Sequence, residues 1–497
     1  MPRFSPVSMG AIIGAFALVE FTSGILQGYY TPMLTDIARH LDVHDADVNW
    51  LEGSQLMLSA ITVPLLSRLG DAIGHKRILL VSTFVVMVAT FGLVVAPNFA
   101  VFLVAWAVQG VYTVWLPLEI ALIWIRAERA AGRVPGTRPA ALTRRAAGML
   151  VAALELGVIG GALAGGALVT ALPLDAVLLV PGIAVALCLI AIWVWVDETP
   201  SVTGGGVDGI GTTLLTLSLL AATGGLSLMR MLGPEHPIPW LVIAAGLLLL
   251  WPFARHELRV ERPLIDVRMF VDPALWPVFV TSGLFGMSVL GAQAPLSTFA
   301  RTDPAVTGYG LGISGFETSI IIGAYVLSLV AGAMLYPLVT RTITPRITLL
   351  CATLLVAIGY LLFVPFHDTY AQVLGNMLIA GAGSGALVAA LPASAAAAAP
   401  ADATGVATGL TNAVRMVGGA VASCVFGLAL ANGVAAASGA TAPLGDDAVT
   451  AGSLTGYMTV WIVCGASALA AAATLLIVPK RAFVDAPEPV SPAGLVT

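Results

Sequence analysis

The amino-acid sequence predicts an all-α membrane protein with many membrane-spanning helices. Of its 497 residues, 58% are hydrophobic and only 10% are charged, and the mean hydropathy is +0.97. Apolar stretches of about 20 residues recur along the chain, and a helix of that length crosses the ~30 Å hydrocarbon layer of a bilayer. Soluble domains are typically about 45–50% apolar, so we expect this chain to lie in a membrane.

Fourteen apolar segments can be delimited in the chain. They lie near residues 9–34, 47–69, 78–97, 99–125, 146–172, 174–196, 208–231, 239–255, 276–299, 314–340, 346–366, 369–394, 404–430 and 457–479. The only basic residue before the first segment is Arg3, and the segment is too long for the apolar region of a cleaved signal peptide. We therefore expect the first segment to stay in the membrane.

The positions of Lys and Arg predict the side that each loop faces, because these residues accumulate in cytoplasmic loops. With the N-terminus inside, most of the 22 basic residues fall on the inner side, and Arg39, Arg230 and Arg301 fall outside. Both termini are therefore expected to be cytoplasmic. The net charge of −5 reflects acidic outer loops and predicts no nucleic-acid partner.

The sequence carries no motif of an enzyme or a metal site. The sequences H-E-x-x-H, G-x-S-x-G and a Walker loop are missing, so an intramembrane protease, a lipase and an ATP-driven pump are not predicted. The four cysteines lie in apolar segments without paired spacing, and we interpret them as packing residues: Cys188, Cys351, Cys424 and Cys464. We expect a protein that is not an enzyme and that needs no cofactor or metal.

A charged stretch, "SRLGDAIGHKR" at residues 67–77, separates the second and third segments. Gly74 allows a tight turn, and Lys76 and Arg77 can anchor the next helix at the headgroups. The stretch resembles the G-x-L-x-D-x-x-G-[RK]-[RK] motif of the major facilitator superfamily at Leu69, Asp71, Gly74, Lys76 and Arg77. In that family this loop is a charged latch that biases the inward-open against the outward-open state. The sequence departs from the motif at Ser67, Ala72 and His75.

A glycine-rich stretch on the fifth segment, "GVIGGALAGG", is similar to the antiporter motif G-x-x-x-G-P-x-x-G-G of the same family, with Ala162 in place of the proline. Gly157, Gly161 and Gly165 lie at i, i+4 and i+8, so they line one helix face where another helix can approach closely. Ordinary packing of small residues explains this spacing equally well.

The fourth segment contains "WAVQGVY", which resembles the family motif R-x-x-Q-G. Gln109 and Gly110 match the motif, but Trp106 stands where the family has an arginine that is linked to proton coupling. This departure keeps a transporter without strict proton coupling open as an alternative.

The number of segments and two later stretches narrow the resemblance. "ERPLIDVRMF" and "GLTNAVRMVGGAVA" resemble the 14-helix drug:proton antiporter branch, which has the major facilitator fold with two helices inserted between two six-helix bundles. The resemblance implies an N-terminal bundle at 1–197, a linker with two extra helices at 198–275, a C-terminal bundle at 276–480 and a cytoplasmic tail at 481–497.

Glu20, in the first segment, is the leading candidate for a proton site. An ionisable residue near the bilayer centre costs about 2.5–3.5 kcal/mol on insertion scales and is therefore a functional candidate by default. Ser23 and Gln27 follow Glu20 on the same helix face, and we expect this polar stripe to face a water-filled cavity. The alternative is a protonated Glu20 that is hydrogen-bonded between helices and has no transport role.

Arg415, about eleven residues into the thirteenth segment, is the one basic residue placed deep inside a predicted segment rather than near its end. It is expected either to pair with a carboxylate across the two bundles, which would couple their movement to charge, or to hold backbone carbonyls. Asn412 lies within one turn of Arg415 and is a candidate for lining the substrate cavity.

Glu119 and Glu155 lie in the cytoplasmic thirds of the fourth and fifth segments. We expect them to form salt bridges that close an inner gate, with proton relay as the alternative. The candidate partners are Arg77, Arg126, Arg144 and Arg145. Glu52 and Glu317 lie near outer helix ends and are interpreted as solvated caps.

Tyr29, Gln109 and Tyr112 complete the candidates for a substrate cavity. The sequence thus predicts a secondary active transporter that exports amphipathic drugs or metabolites in exchange for protons, by alternating access. It would bind a small molecule and protons and would lie in the bilayer as a monomer. The alternatives are a uniporter or metabolite exporter without strict proton coupling, and a non-transporting membrane sensor or scaffold.

Overall fold

The computed structural model of the chain describes residues 9–131, 139–197, 208–260, 263–399, 404–431 and 450–477. The helices in this part are α1 (Met9–Gly28), α2 (Leu34–His40), α3 (Val48–Ile73), α4 (His75–Val94), α5 (Phe99–Gln109), α6 (Trp115–Ala131), α7 (Pro139–Ala171), α8 (Leu174–Trp195), α9 (Gly209–Leu232), α10 (Pro237–Glu257), α11 (Trp276–Val289), α12 (Gln293–Arg301), α13 (Pro304–Thr307), α14 (Gly315–Val339), α15 (Pro345–Leu361), α16 (Tyr370–Ala398), α17 (Thr404–Ala431) and α18 (Leu454–Ile477). The predicted tail at 481–497 lies outside the described residues.

The described residues contain twelve spans that are long and apolar enough to cross a membrane. Two further apolar helices, α1 with 20 residues and α15 with 17 residues, lie at the places of the first and eleventh predicted segments. The prediction of an all-α membrane protein with many spans is therefore confirmed, whereas the count of fourteen is not.

Two predicted segments are interrupted near their middle. The fourth divides into α5, a 3₁₀ turn at Gly110–Val114, and α6, while the ninth divides into α11 and α12. At the first break the chain passes so close to α3 that a side-chain carbon on Gly110 would lie 2.8 Å from the backbone oxygen of Gln55. The Ser59 hydroxyl donates to the Gly110 carbonyl at 2.9 Å, so this carbonyl remains paired where the α-helix stops.

The described chain forms two large hydrophobic cores. One is built almost entirely from residues between Phe16 and Val196, and the other almost entirely from residues between Met269 and Leu475. We call the parts of the chain around these cores the N-terminal half and the C-terminal half. Helices α9 and α10, which lie between the halves in sequence, pack mainly against each other, and a small cluster of Leu215, Phe253 and Leu264 joins them to the linker that follows.

Two helix pairs form the seam between the halves: α3 packs against α17, and α7 packs against α14. Small residues allow this approach, since a side-chain carbon on Gly166 would lie 2.4 Å from the backbone oxygen of Gly315. Beyond the seam, Ser297 donates a hydrogen bond to the backbone oxygen of Thr31, and Arg301 donates one to Asp36 at 2.8 Å. We call the end of the molecule that carries these contacts the outer end, and it is closed in this conformation.

Candidate functional site

A pair of carboxyl groups lies inside the N-terminal half. Glu20 on α1 and Glu119 on α6 are both completely buried, and their side chains interact directly with each other. All four of their carboxyl oxygens lack a well-aligned hydrogen-bond partner. Burying unpaired polar groups is costly, so such a pair is a candidate site for chemistry that requires a buried acid.

A third carboxyl group, that of Glu52 on α3, extends this site. Tyr112, in the turn between α5 and α6, lies within electrostatic range of both Glu52 and Glu20. The side chain of Glu52 is only partly exposed, so its interpretation as a solvated cap was wrong. Gln55 and Ser59 follow Glu52 at i+3 and i+7, and this polar stripe is the signal in the sequence that could have identified it.

The position of α1 depends on three glycines of α7. A side-chain carbon on Gly157 would lie 2.2 Å from the backbone oxygen of Phe21, and one on Gly165 would lie 2.1 Å from that of Tyr29. Gly161 faces Ile25 in the same way, with 2.9 Å to its Cα atom. The glycine face of α7 therefore holds α1 at backbone contact, and this contact aligns the α1 face that carries Glu20.

A second charged group lies at the seam between the halves. Arg415 on α17 donates a hydrogen bond to Asn412 Oδ1 at 2.6 Å and is attracted electrostatically to Glu155 on α7. Tyr325 on α14 lies within the range of both charges. The cluster therefore joins a carboxylate of one half to a guanidinium of the other, and any sliding at the seam changes their separation.

The residues predicted to line a cavity are mostly packed inside the N-terminal half in this conformation. Ser23, Tyr29 and Tyr112 are buried, whereas Gln27 is exposed. The Tyr29 hydroxyl donates to the backbone oxygen of Val177 at 2.8 Å. The role of these residues in substrate binding stays a prediction.

Gln109 forms hydrogen bonds near position 106, where the family motif carries an arginine. Its amide nitrogen donates to the Tyr30 hydroxyl and to Thr90 Oγ1, both at 3.0 Å. Trp106, which replaces the arginine, packs its ring 4.9 Å from that of Tyr30 and stacks on Phe102. The position is thus filled by an aromatic cluster that carries no charge.

The loop at residues 67–77 forms a tight hairpin between α3 and α4. Gly74 is the single residue between these helices, and its φ of 111° is one that L side chains rarely adopt. Asp71 pairs with His75 at 3.2 Å, and Lys76 donates to the backbone oxygen of Trp193 at 3.3 Å. Arg77 is exposed at the same end of the hairpin.

The expected salt bridge between Glu119 and Arg126 is not formed. Arg126 instead donates to the backbone oxygen of Asp197 at 2.7 Å and lies 3.9 Å from its carboxylate. Glu119 is instead completely buried inside the half, where its side chain interacts with that of Glu20. Glu317 does act as a helix cap, since its carboxylate accepts a hydrogen bond from the Ser314 backbone nitrogen at 2.8 Å.

The four cysteines and the acidic residues give no metal site in the described part of the chain. Cys188, Cys424 and Cys464 are buried and free, as expected of packing residues. Cys351 is also free, but it is exposed on α15 rather than packed in a core.

Comparisons with known proteins identify one superfamily over most of the chain. A sequence model described as the Major Facilitator Superfamily matches residues 16–423. The chain is 25% identical to the drug efflux pump JefA of Mycobacterium tuberculosis over 429 residues, which cover 81% of this chain and 76% of JefA. It is 26% identical to the transporter TOXA of Cochliobolus carbonum, with 78% of this chain and 70% of TOXA covered.

Other matches are shorter or purely structural. The uncharacterized transporter YwoD of Bacillus subtilis is 27% identical over 52% of this chain, and the chain spans only 56% of YwoD. The nucleoside transporter NupG superimposes with a TM-score of 0.62 at 12% identity, and the match covers 94% of this chain and 98% of NupG. A bacterial homolog of the human lysosomal transporter Spinster, inward-facing and unoccupied, gives a TM-score of 0.62 at 15% identity, with 97% of both chains covered.

Proposed function

Because the chain belongs to the Major Facilitator Superfamily, we propose that it is a secondary transporter that exports amphipathic compounds in exchange for protons. The observation that carries this proposal is the buried contact between Glu20 and Glu119. Two carboxyl groups in contact inside a protein can share one proton, since the shared proton neutralises one charge and supplies a hydrogen bond between them. Losing and regaining this proton would drive the transport cycle.

The halves would move relative to each other at the seam during transport. In the described conformation the outer end is held closed by Ser297, Arg301 and their partners, so substrate would enter from the opposite, cytoplasmic end. Rocking the halves about the α3–α17 and α7–α14 contacts would then expose the site to the outside. Attraction between Glu155 and Arg415 would favour one of these states.

The energetics permit export by proton exchange. An inward membrane potential contributes about 2.3 kcal/mol per elementary charge per 100 mV, so a single coupled proton can drive a neutral compound outward. The similarity to a protein named a drug efflux pump supports amphipathic compounds as the substrate class. We further propose the 14-helix branch, in which α9 and α10 are the inserted pair and α1 and α15 cross the membrane beside the twelve longer spans. We also propose a monomer in the cell membrane with both termini in the cytoplasm.

A second candidate function is uniport or metabolite export without strict proton coupling. Trp106 favours it, because this aromatic residue fills the place of the arginine that the family links to proton coupling. The two functions differ in one requirement: antiport needs a carboxyl group at position 20, whereas uniport needs only the shape of the side chain there.

The deciding experiment measures substrate-induced proton flux in proteoliposomes with a panel of cationic dyes and hydrophobic drugs. The native protein should release protons when a transported compound is added, and Glu20→Gln should lose this release because its amide cannot give up a proton. Glu317→Gln is the matched control, since Glu317 is exposed and caps α14. Compound movement without proton movement, equal in the native protein and Glu20→Gln, would establish uniport instead.

A further inference from the structure

Three polar side chains from both halves lie within interaction range of one another at the seam, each near the middle of its helix. Glu155 lies midway along α7 of the N-terminal half, while Tyr325 on α14 and Arg415 on α17 belong to the C-terminal half. Tyr325 lies within electrostatic range of both charged groups. Substrate sites of secondary transporters lie near the bilayer midplane, where two parts of the molecule face each other. The position of these side chains therefore suits a substrate site.

The hydrogen-bonding groups of Arg415 and Tyr325 are not all used. One terminal nitrogen of Arg415 donates to Asn412 Oδ1 at 2.6 Å, but its Nε is buried without a well-aligned partner. The buried Tyr325 hydroxyl also lacks one. It interacts with Ser384, whose own hydroxyl donates to the Ala380 backbone oxygen at 2.8 Å. Because unpaired buried donors are costly, both groups are candidates for binding an acceptor on a ligand.

The two charges at the seam compensate each other only from a distance. Glu155 and Arg415 attract each other electrostatically. Both are described residues, yet they form no direct ion pair, which requires an oxygen and a nitrogen within about 4 Å. Both side chains are partly exposed, so space remains beside each of them. A ligand with a single charge can pair only one of them, whereas a ligand with a positive and a negative group can pair both.

We infer that this cluster binds a zwitterionic amphipathic compound. The carboxylate of the compound accepts hydrogen bonds from Arg415 and from the Tyr325 hydroxyl, and its ammonium group faces Glu155. The planar guanidinium suits this role, since its fork of donors matches the geometry of a carboxylate. Because the two charges belong to different halves, movement at the seam separates them and releases the compound. The inference rests on the proposed transport function, for which it names the class of compound carried.

Equilibrium binding to the purified full-length protein in lipid nanodiscs tests this inference without any gradient. The three probes are Nε-dansyl-lysine, which is zwitterionic, its methyl ester, which is cationic, and its Nα-acetyl derivative, which is anionic. Dansyl fluorescence reports the binding of each. The native protein should bind the zwitterion about ten-fold more tightly than either of the other probes, the usual effect of one hydrogen bond to a charged group.

Two variants that remove one charge each should lose opposite parts of this preference. Arg415→Gln should bind the zwitterion no better than the cationic ester, and Glu155→Gln should bind it no better than the anionic derivative. Arg415→Lys should recover only part of the loss, because lysine lacks the planar fork. Equal affinities for the three probes in the native protein, no binding of the zwitterion, or an equal loss of all three probes in Arg415→Gln would overturn the inference.

Tyr325→Phe provides the test if the charge variants fail to fold. It removes only the hydroxyl and should weaken the zwitterion and the anionic derivative about three-fold, while the cationic ester is unchanged. Tyr336→Phe, about three turns further along the same helix, is the matched control and should change none of the three affinities. An equal effect of Tyr325→Phe on all three probes, or no effect on any, contradicts the inference.

The binding and proton-flux experiments fail separately. Proton release driven by dyes that persists while the zwitterion does not bind would refute the zwitterion site and leave antiport in place. Binding of the zwitterion with the expected charge preference but without proton release would refute antiport and leave the site in place.

Discussion

The two halves differ in the polar groups that they bury. Among the described residues, the N-terminal half encloses the carboxyl groups of Glu20 and Glu119, whereas the C-terminal half buries only neutral polar side chains. Several of those neutral groups are paired within their own helix, as where Thr353 donates to the Leu349 backbone oxygen. The carboxyl groups of the N-terminal half lack such partners.

The C-terminal half is instead rich in aromatic contacts. Phe363 stacks on Trp461 with ring centroids 4.5 Å apart, and Phe299 packs edge-on against Tyr457 at 5.1 Å. Such aromatic contacts pack closely, and the described part of this core buries no carboxyl group that could bind a proton. In the proposed transport cycle, proton exchange would therefore take place in the N-terminal half, and the C-terminal half would contribute Arg415 at the seam.

The largest expected effect comes from removing a carboxyl group from the N-terminal half. Glu119→Gln should lower proton-coupled transport about 100-fold, the lower end of what a positioned acid contributes. The double variant Glu20→Gln with Glu119→Gln should lose no more than either single variant, because the two groups act as one unit. Transport assays in proteoliposomes measure both.

Thr353→Val is the matched change in the C-terminal half. It removes a buried hydroxyl of α15 while preserving the shape of the side chain, and transport should stay within about two-fold of the native rate. A loss comparable to that of Glu119→Gln would abolish the contrast between the halves.

The next effect concerns the contact that positions α1. Gly157→Ala places a methyl group against the Phe21 backbone and should destabilise the protein by about 1–3 kcal/mol, the usual range for overpacking. Gly160→Ala, one helix face away, has 3.8 Å to its nearest neighbour and should be nearly neutral. Thermal unfolding of the two purified variants makes the comparison, and equal midpoints would exclude the glycine face of α7 as a constraint on α1.

A smaller effect is expected at the closed outer end. The Asp36–Arg301 ion pair is partly exposed, so Arg301→Gln should weaken closure by no more than about 1 kcal/mol, a shift of roughly five-fold between closed and open states. Spin labels at His40→Cys and Ala305→Cys, in a Cys351→Ser background, report the distance across this end. Asp36→Arg combined with Arg301→Asp should restore the short distance. An unchanged distribution of spin-label distances in Arg301→Gln would show that the Asp36–Arg301 ion pair does not hold this end closed.

The smallest effect lies in the helices between the halves. Asp208 caps α9 by accepting hydrogen bonds from the backbone nitrogens of Ile210 and Gly211, and His256 lies 2.9 Å from its carboxylate. Burial acts to raise the pKa of Asp208, but the hydrogen bonds from Gly211 and His256 outweigh it and hold that pKa below its usual 3.8. The ionised cap therefore contributes stability above pH 3.8 and loses it as the pH falls through the lowered pKa.

Asp208→Ala should cost about 0.5–2 kcal/mol at neutral pH, and Asp208→Asn should cost less because asparagine also caps helices. Thermal unfolding at pH 7 compares the two variants. Equal losses in both would show that the charge beside His256, rather than the cap, carries the contribution.

Much of the fold could be predicted because its signals are local. Hydropathy over about 20 residues is enough to place a membrane helix, and the stretch at 67–77 pointed to the superfamily that the match over residues 16–423 then confirmed. The breaks before α6 and α12 escaped prediction, since they depend on neighbours such as Ser59 that are distant in sequence.

The candidate site was predicted less completely. Glu20 and Glu119 were both recognised as acids within apolar segments, but the sequence pointed Glu119 toward Arg126, and the structure points it toward Glu20. Glu52 was taken for a solvated cap because its distance from the helix end was the only local guide.

The sequence by itself determined that this chain is a helical membrane protein of the superfamily, since hydropathy, basic loops and the 67–77 motif are each properties of short stretches. Only the tertiary structure decided which of its charged side chains within the spans meet. Helical periodicity tells which residues share a face of one helix, but the rotation of that helix against its neighbours depends on contacts such as those of Gly157 and Gly110. Those contacts bring Glu20 to Glu119 inside one half and Arg415 to Glu155 across the seam.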